Sequence, residues 1–398
     1  MTHSRSKSAT NHKVSLPSYE TVALVLQGGG ALGSYQAGVY QGLADAGIEP
    51  NWLAGISIGA LNTAIIAGNA PADRVNALKA FWDTICQSAM FPNVLPTFDP
   101  FLSHIPMARQ MMSGMSAMRA LLEGQAGFFI PRFPLPGISA RAPDQVSYYD
   151  TSLLRSTLER FADFERINSG EMKVSVGAVN VRTGNFIYFD NQHMRLAPEH
   201  FMASGALPPG FPAVEIDGEY YWDGGLVSNT PLVEVLRNSA GQRSLLIFQV
   251  DLWSARGDLP KDFMGVAERI KDIQYSSRTR LLTQVMEERQ YERRLLKALL
   301  EHIPDDVKAS DSWCRSAQAL ANDRLVNIIH LVYQENGVEG HYKDYEFSHT
   351  SMESHWACGL SDTKRTLARS EWLAFPPIEK GFVTHDIHRA DMLTGSKR

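Results

Sequence analysis

Cysteine is scarce, with three in 398 residues. Cys86, Cys314 and Cys358 lie far apart and form no C-x-x-C pair. That spacing excludes a disulfide framework and a zinc finger, and it fits a reducing compartment. Long apolar runs are also missing: no stretch reaches the ~18 uninterrupted apolar residues that a membrane span requires. Nor is basic charge in excess. The 38 Lys and Arg stand against 43 Asp and Glu, a formal net charge of -5, so no nucleic-acid partner is expected. The first twenty residues are polar and lack the apolar segment of a secretory signal. They read as a disordered arm over 1–20. A cytoplasmic location is expected. Peripheral contact at the inner membrane surface and homo-oligomerisation are left open.

What is present is an ordinary globular composition, 44% hydrophobic and 20% charged, in a chain long enough for more than one packing unit. Residues 21–26 (TVALVL) are β-branched and continuously apolar, the pattern of a buried parallel strand. Helical spacing follows over 34–46 and closes at Gly47. A second strand is expected over 52–56, then a small-residue helix over 58–67. This alternation predicts a βαβα unit on a parallel sheet. Further expectations are a helix over 151–161 capped by Asp150, a strand over 173–181 and a hairpin at Asp217-Gly218. A helix from Pro231 and a last core strand over 244–250 complete that region.

Two stretches differ. Residues 88–147 carry many prolines together with Met90, Met107, Met111, Met112, Met115 and Met118. Irregular turns and short helices are expected there, as a lid or acyl-chain pocket, or as an insertion packed on the core. Beyond 260, an amphipathic stretch over 262–302 precedes a strand over 327–333. A helix then opens at the capping box Thr350-Ser-Met-Glu353.

The chemistry begins at LVLQGGGALGSYQAG, residues 24–38. Gly28, Gly30 and Gly33 make G-x-G-x-x-G, which suits a nucleotide phosphate. The triplet Gly28-Gly29-Gly30 before a helix suits an oxyanion. The second strand ends in Gly55-Ile56-Ser57-Ile58-Gly59. G-x-S-x-G places serine on a sharp strand-to-helix turn where small neighbours relieve crowding. A dinucleotide site needs an acidic residue at the end of that strand, but Glu49 lies before it and Ser57 stands there instead. The oxyanion reading uses both features, with main-chain amides beside an exposed serine at one sheet edge. None of the twelve histidines sits in a recognisable motif. His193, His200 and His330 lie near predicted core elements and read more readily as structural. Asp223-Gly224-Gly225 follows a strand and could bring Asp223 to Ser57. Asp217-Gly218 shows that such a pair is also an ordinary turn, and spacing alone does not choose.

Taken in order, Gly28-Gly29-Gly30-Ala-Leu-Gly33, Gly55-Ile-Ser57-Ile-Gly59 and Asp223-Gly224-Gly225 resemble the patatin-like phospholipase family. Ala203-Ser204-Gly205-Ala206, Asn229 and Pro231 are further marks, and the likeness covers about residues 21–250. The resemblance implies a three-layer α/β fold with a mainly parallel central sheet flanked by helices. It divides the chain into the arm, a catalytic domain over 21–255 containing the 88–147 insertion, and an extension over 256–398. That mostly helical extension looks like one carried by a bacterial subset of the family.

The resemblance also implies a Ser57–Asp223 dyad without catalytic histidine, and an oxyanion hole of Gly28, Gly29 and Gly30. Gly33, Gly55, Gly59, Gly224 and Gly225 become supporting motif positions. The implied reaction is hydrolysis of lipid carboxyl esters through an acyl-enzyme, needing no metal or cofactor. Many members carry Arg or Lys in the glycine loop where this chain has Leu32, so a cation that would meet an anionic headgroup is missing. Other readings are a thioesterase or storage-polyester hydrolase, or a weakly catalytic lipid-binding or scaffold protein.

Overall fold

The computed structural model describes residues 14–89, 106–133, 142–239, 241–276, 279–334, 340 and 342–389. Its centre is one nine-stranded sheet. The strands are β1 (Thr21–Leu26), β2 (Trp52–Gly55), β3 (Lys173–Asn180), β4 (Phe186–Asp190), β5 (Val214–Ile216), β6 (Glu219–Asp223), β7 (Ser244–Asp251), β8 (Leu325–Val332) and β9 (Phe382–Asp386). The spatial order is β9-β8-β7-β1-β2-β3-β6-β5, with β4 also paired to β3. Every pairing from β9 to β3 is parallel. The hairpin partners β4, β5 and β6 are antiparallel.

Helices cover both faces, and the side chains of β1 show why. Leu24 and Leu26 pack into one apolar cluster with Leu32, Tyr35, Leu61 and Trp82. Ala23 and Val25 point the other way, into a second cluster with Leu232, Val235 and Leu236. A strand wedged between two dry layers has no solvated face, so its sequence runs apolar without alternation. The first layer includes α1 (Ser34–Asp45), α2 (Ile58–Ala67) and α3 (Arg74–Ile85). Further along the chain lie α4 (Pro106–Glu123), α5 (Phe263–Tyr275), α6 (Thr279–Glu301) and α7 (His349–Leu367).

The extension is mostly helical, yet it also builds the sheet. The strand over 244–250 is therefore not the last of the core: β8 and β9 continue the sheet beyond it. Helix α7 lies directly on α1, where Tyr35 Oη donates to Asp362 Oδ2 at 3.0 Å. The approach is backbone to backbone, since a methyl on Gly38 would strike the Trp356 carbonyl and one on Gly359 the Tyr35 carbonyl. The helix begins before the expected capping box because the Ser348 side chain accepts from the Ser351 amide at 3.2 Å. Thr151, not Asp150, holds the N-cap position of the helix Ser152–Phe161, with no side-chain capping bond. Asp150 instead accepts from the Ser152 amide at 2.7 Å.

The expected arm is anchored over residues 14–20. The Val14 amide donates to Ala46 O at 3.0 Å and Tyr19 Oη to Ala374 O at 2.7 Å. Residues 1–13 lie outside the described residues, as do 90–105 and 134–141 of the insertion. What is described there includes the 18-residue helix α4, longer than expected, with Met115 and Met118 exposed. Met90 lies outside the described residues.

The α1–α7 contact gives a stability test. Gly359→Val forces a branched side chain into a backbone contact, and overpacking of this kind costs about 1–3 kcal/mol or more. We expect a lowered melting temperature by calorimetry. An unchanged one would show that α7 does not pack on α1 as described.

Candidate active site

One feature of the sheet brings Ser57 and Asp223 together. β3 pairs with β4 along one edge, over Ser175–Val179. Its other edge is shared: β2 takes Lys173–Val176 in parallel, and β6 takes Ala178–Asn180 in antiparallel. The two strands therefore run toward each other on the same line. β2 ends at Gly55 opposite Val176, and β6 ends at Asp223 opposite Ala178. Their carboxyl ends meet at Gly177, where both motifs begin. Asp223 arrives from an antiparallel strand, not from the carboxyl edge of a parallel one.

Ser57 sits on the turn into α2 with φ 55 and ψ -126. A side chain in this left-handed region is strained by about 1–3 kcal/mol, so the surroundings must hold it. They do. The Ser57 amide donates to both the carbonyl and the hydroxyl of Ser204, each at 3.1 Å. Ser204 Oγ in turn donates to Gly177 O at 2.6 Å. Gly55 and Gly59 let the turn close, since a methyl on Gly59 would strike the Leu26 carbonyl and one on Gly55 the Gly59 backbone.

Asp223 is only 2% exposed. Its amide donates to Ala206 O at 3.0 Å, and its Oδ1 accepts from the Gly225 amide at 2.7 Å. The side chain of Ser57 lies near enough to act on its proton affinity. Burial pushes the carboxyl up to about 7, against the opposite pull of Ser57 and of the Gly225 amide. Gly224 passes so close to the Gly177 carbonyl that a methyl there would meet it at 2.6 Å. The segment 204–206 thus holds both residues at once, Ser57 through Ser204 and Asp223 through Ala206. The sequence marked this segment as a motif without showing what it grips.

The glycine loop lies against Ser57, and a methyl on Gly28 would stand 3.0 Å from Ser57 Cβ. The three amides expected to face an oxyanion are not equivalent. The Gly28 amide donates to Asn229 O at 3.2 Å, so that one is occupied within the fold. Those of Gly29 and Gly30 meet no acceptor among the described residues. Gly30 has φ 56, and any side chain there would collide with the Asp344 carbonyl. Gly33 packs against Ile58 and Trp82, and Leu32 is fully buried in the core.

Residues outside the three motifs fasten this loop. Asn229 Nδ2 donates to Gly28 O at 3.0 Å and to Tyr275 O at 2.9 Å. Gln27 Nε2 reaches Tyr275 O at 3.1 Å, while its Oε1 accepts from the Leu252 and Trp253 amides at 2.6 and 3.1 Å. The Ala31 amide donates to Asp344 O at 2.8 Å, and Lys271 pairs with the Asp344 carboxylate at 2.7 Å. Burial, then the charges of Asp223 and Asp344, push the Tyr275 phenol up. Tyr275 and Asp344 belong to the extension, and no local pattern announced them.

The three histidines weighed from sequence are engaged elsewhere. His193 bonds Asp190 at 2.8 Å, His200 accepts from the Ala197 amide at 2.9 Å, and His330 bonds Asp251 at 2.6 Å. Among the described residues no histidine is hydrogen-bonded to Ser57 or Asp223. What remains is a hydroxyl on a strained turn, a buried carboxyl beside it, and two main-chain donors alongside. Such a set can transfer an acyl group.

The buried carboxyl gives a prediction about stability. An unfolded Asp loses its proton near 3.9, whereas Asp223 holds it up to about 7. Between these values the folded state binds a proton that the unfolded state has released. Its favourable contribution is therefore complete below about pH 4 and lost as pH rises through about 7. Asp223→Asn keeps the shape and removes the titration. We expect it to melt a few degrees above the parent at about pH 8, with the gap closing toward about pH 4. Calorimetry across that range checks this, and a gap independent of pH would contradict it.

A family model described as patatin-like phospholipase matches residues 24–236, more than half of the chain. Another, described as patatin phospholipase, matches residues 273–379. No curated protein matches the sequence. Among solved structures, VipD from Legionella pneumophila is similar over 92% of this chain and 72% of its own, at 17% identity and a TM-score of 0.39. Human GIVD cytosolic phospholipase A2 is similar over 89% of this chain and 60% of its own, at 11% identity and a TM-score of 0.39.

Proposed function

Because this chain belongs to the patatin-like phospholipase family, we propose that it hydrolyses carboxyl esters of lipids through Ser57 and Asp223. The observation that carries this reading is the Ser57 side chain standing beside a buried carboxyl, which burial raises to about 7. An ordinary aspartate near 3.9 is a poor base, and desolvation makes this one a far better match to a neutral-pH proton transfer.

The cycle has two halves. Asp223 takes the proton of Ser57 Oγ as the oxygen attacks the ester carbonyl carbon. The carbonyl oxygen becomes an oxyanion facing the Gly29 and Gly30 amides. The tetrahedral species collapses, the ester C–O bond breaks, and Asp223 returns its proton to the departing alcohol. Water then attacks the acyl-serine, Asp223 accepts the water proton, and the acid product leaves as Ser57 Oγ is reprotonated. Ser204 acts by holding the Ser57 turn in its strained conformation.

Assays with soluble p-nitrophenyl esters and with phospholipid test this. Ser57→Ala and Asp223→Asn should each lower kcat by roughly 10⁴-fold or more while the proteins stay folded. A fluorophosphonate should label the parent once, at Ser57. Full turnover in Asp223→Asn would remove the carboxylate from the mechanism. An unlabelled, inactive parent would point instead to a binding protein.

The pH dependence follows from the same carboxyl. Asp223 must be ionised to accept a proton, so kcat/KM should rise with pH through a midpoint near 7, where burial places its pKa. A flat profile from about pH 5 to pH 8 would exclude Asp223 as the base.

A further inference from the structure

Helix α5 carries its polarity the wrong way round. Its charged side chains face the protein. Lys343 Nζ lies 3.2 Å from Glu268 and 2.9 Å from Asp272. Lys271 pairs with Asp344 at 2.7 Å, and Arg269 with Asp272 at 3.7 Å. Apart from Gln274, its outward side chains are apolar: Phe263 is 93% exposed, Met264 63%, Ile270 57% and Ile273 59%. Val266 is exposed too, as is Leu259 just before the helix. Phe263, Val266, Ile270 and Ile273 follow the three- and four-residue spacing of one helical face. No charged residue of the helix is among its exposed positions. A solvated helix normally shows the opposite arrangement, and a grouped apolar surface of this kind marks a contact site.

The stripe is mounted on the rim of the active site. Its helix ends at Tyr275, whose carbonyl accepts from Gln27 and Asn229 beside the glycine loop. The ion pair of Lys271 leads to Asp344, which holds the Ala31 amide. Two further exposed apolar residues, Leu226 and Val227, directly follow Asp223-Gly224-Gly225.

Size and charge select the occupant. The 13-residue helix is about 20 Å long, and a stripe about 10 Å wide covers about 200 Å². A stable protein interface takes about 800 Å² from each side, so the stripe is too small to hold a second copy. It suits a helix lying in a lipid surface with its apolar face sunk about 5–10 Å. No described helix is long and apolar enough to cross a membrane.

We propose that α5 docks the mouth of the active site onto a lipid surface. The choice of a lipid as occupant rests on the ester-hydrolase reading above. Because the stripe carries no charge, docking requires no anionic lipid.

The test is co-sedimentation of the full chain with phosphatidylcholine vesicles, with and without phosphatidylglycerol. Substituting Phe263→Ser together with Ile270→Asn should lower partitioning about tenfold or more. It should leave kcat/KM on a soluble p-nitrophenyl ester within about twofold, because neither residue touches the site. Phosphatidylglycerol or added salt should change parent partitioning by less than about threefold. Equal partitioning of parent and variant would overturn the proposal, as would a parent that does not partition. Self-association that the two substitutions abolish would overturn it in favour of a second copy. A parent that docks through α5 but cleaves no ester would support the docking and refute the hydrolase reading.

Discussion

The nearness of the Ser57 hydroxyl to Asp223 sets a group that is easily solvated beside one that water barely reaches. Asp223 is 2% exposed, and that dryness is what lifts its proton affinity. An exposed carboxylate at the same distance would have no such lift, since water would stabilise its charge. The sheet supplies the dryness. Two strands converge end to end on the shared edge of β3, so the last residue of β6 and the turn after β2 are pressed together. The strained backbone at Ser57 and the buried carboxyl at Asp223 are both costs to the fold, and they fall at the same point. Such concentration of unfavourable features is typical of a functional site.

The extension is part of this arrangement. It adds β8 and β9 to the sheet and lays α7 on α1. It also supplies the Tyr275 and Asp344 carbonyls that secure the glycine loop. Gly30 adopts a left-handed conformation and presents its amide while the Asp344 carbonyl occupies the space where a side chain would be. The two family matches, over 24–236 and 273–379, therefore describe stretches of chain that meet at a single site.

Polarity along α5 follows from the same economy of contacts. The helix must hold the loop from outside, and it does so with Lys271, Glu268 and Asp272 turned inward to Asp344 and Lys343. Half-buried ion pairs of this sort fix orientation more than they add stability. The periodicity of the helix then leaves its apolar residues on the outer face.

Much was legible in the chain alone, for local reasons. A continuous TVALVL run has the pattern of a strand buried on both faces, and G-x-S-x-G with its small flanks that of a tight turn. The three glycine-bearing motifs and their order were likewise visible, because close backbone approach demands glycine wherever it occurs. Spacing left Asp223 undecided between a simple turn and a base. Tertiary structure supplied the burial of Asp223 and its nearness to Ser57, because both depend on two strands meeting along β3, a register no local pattern encodes. It also decided that the Gly28 amide is taken by Asn229, that segment 204–206 grips both key residues, and that Tyr275 and Asp344 close the site. Those are contacts between residues tens to hundreds of positions apart. The sequence specifies them only through the packing of the whole chain.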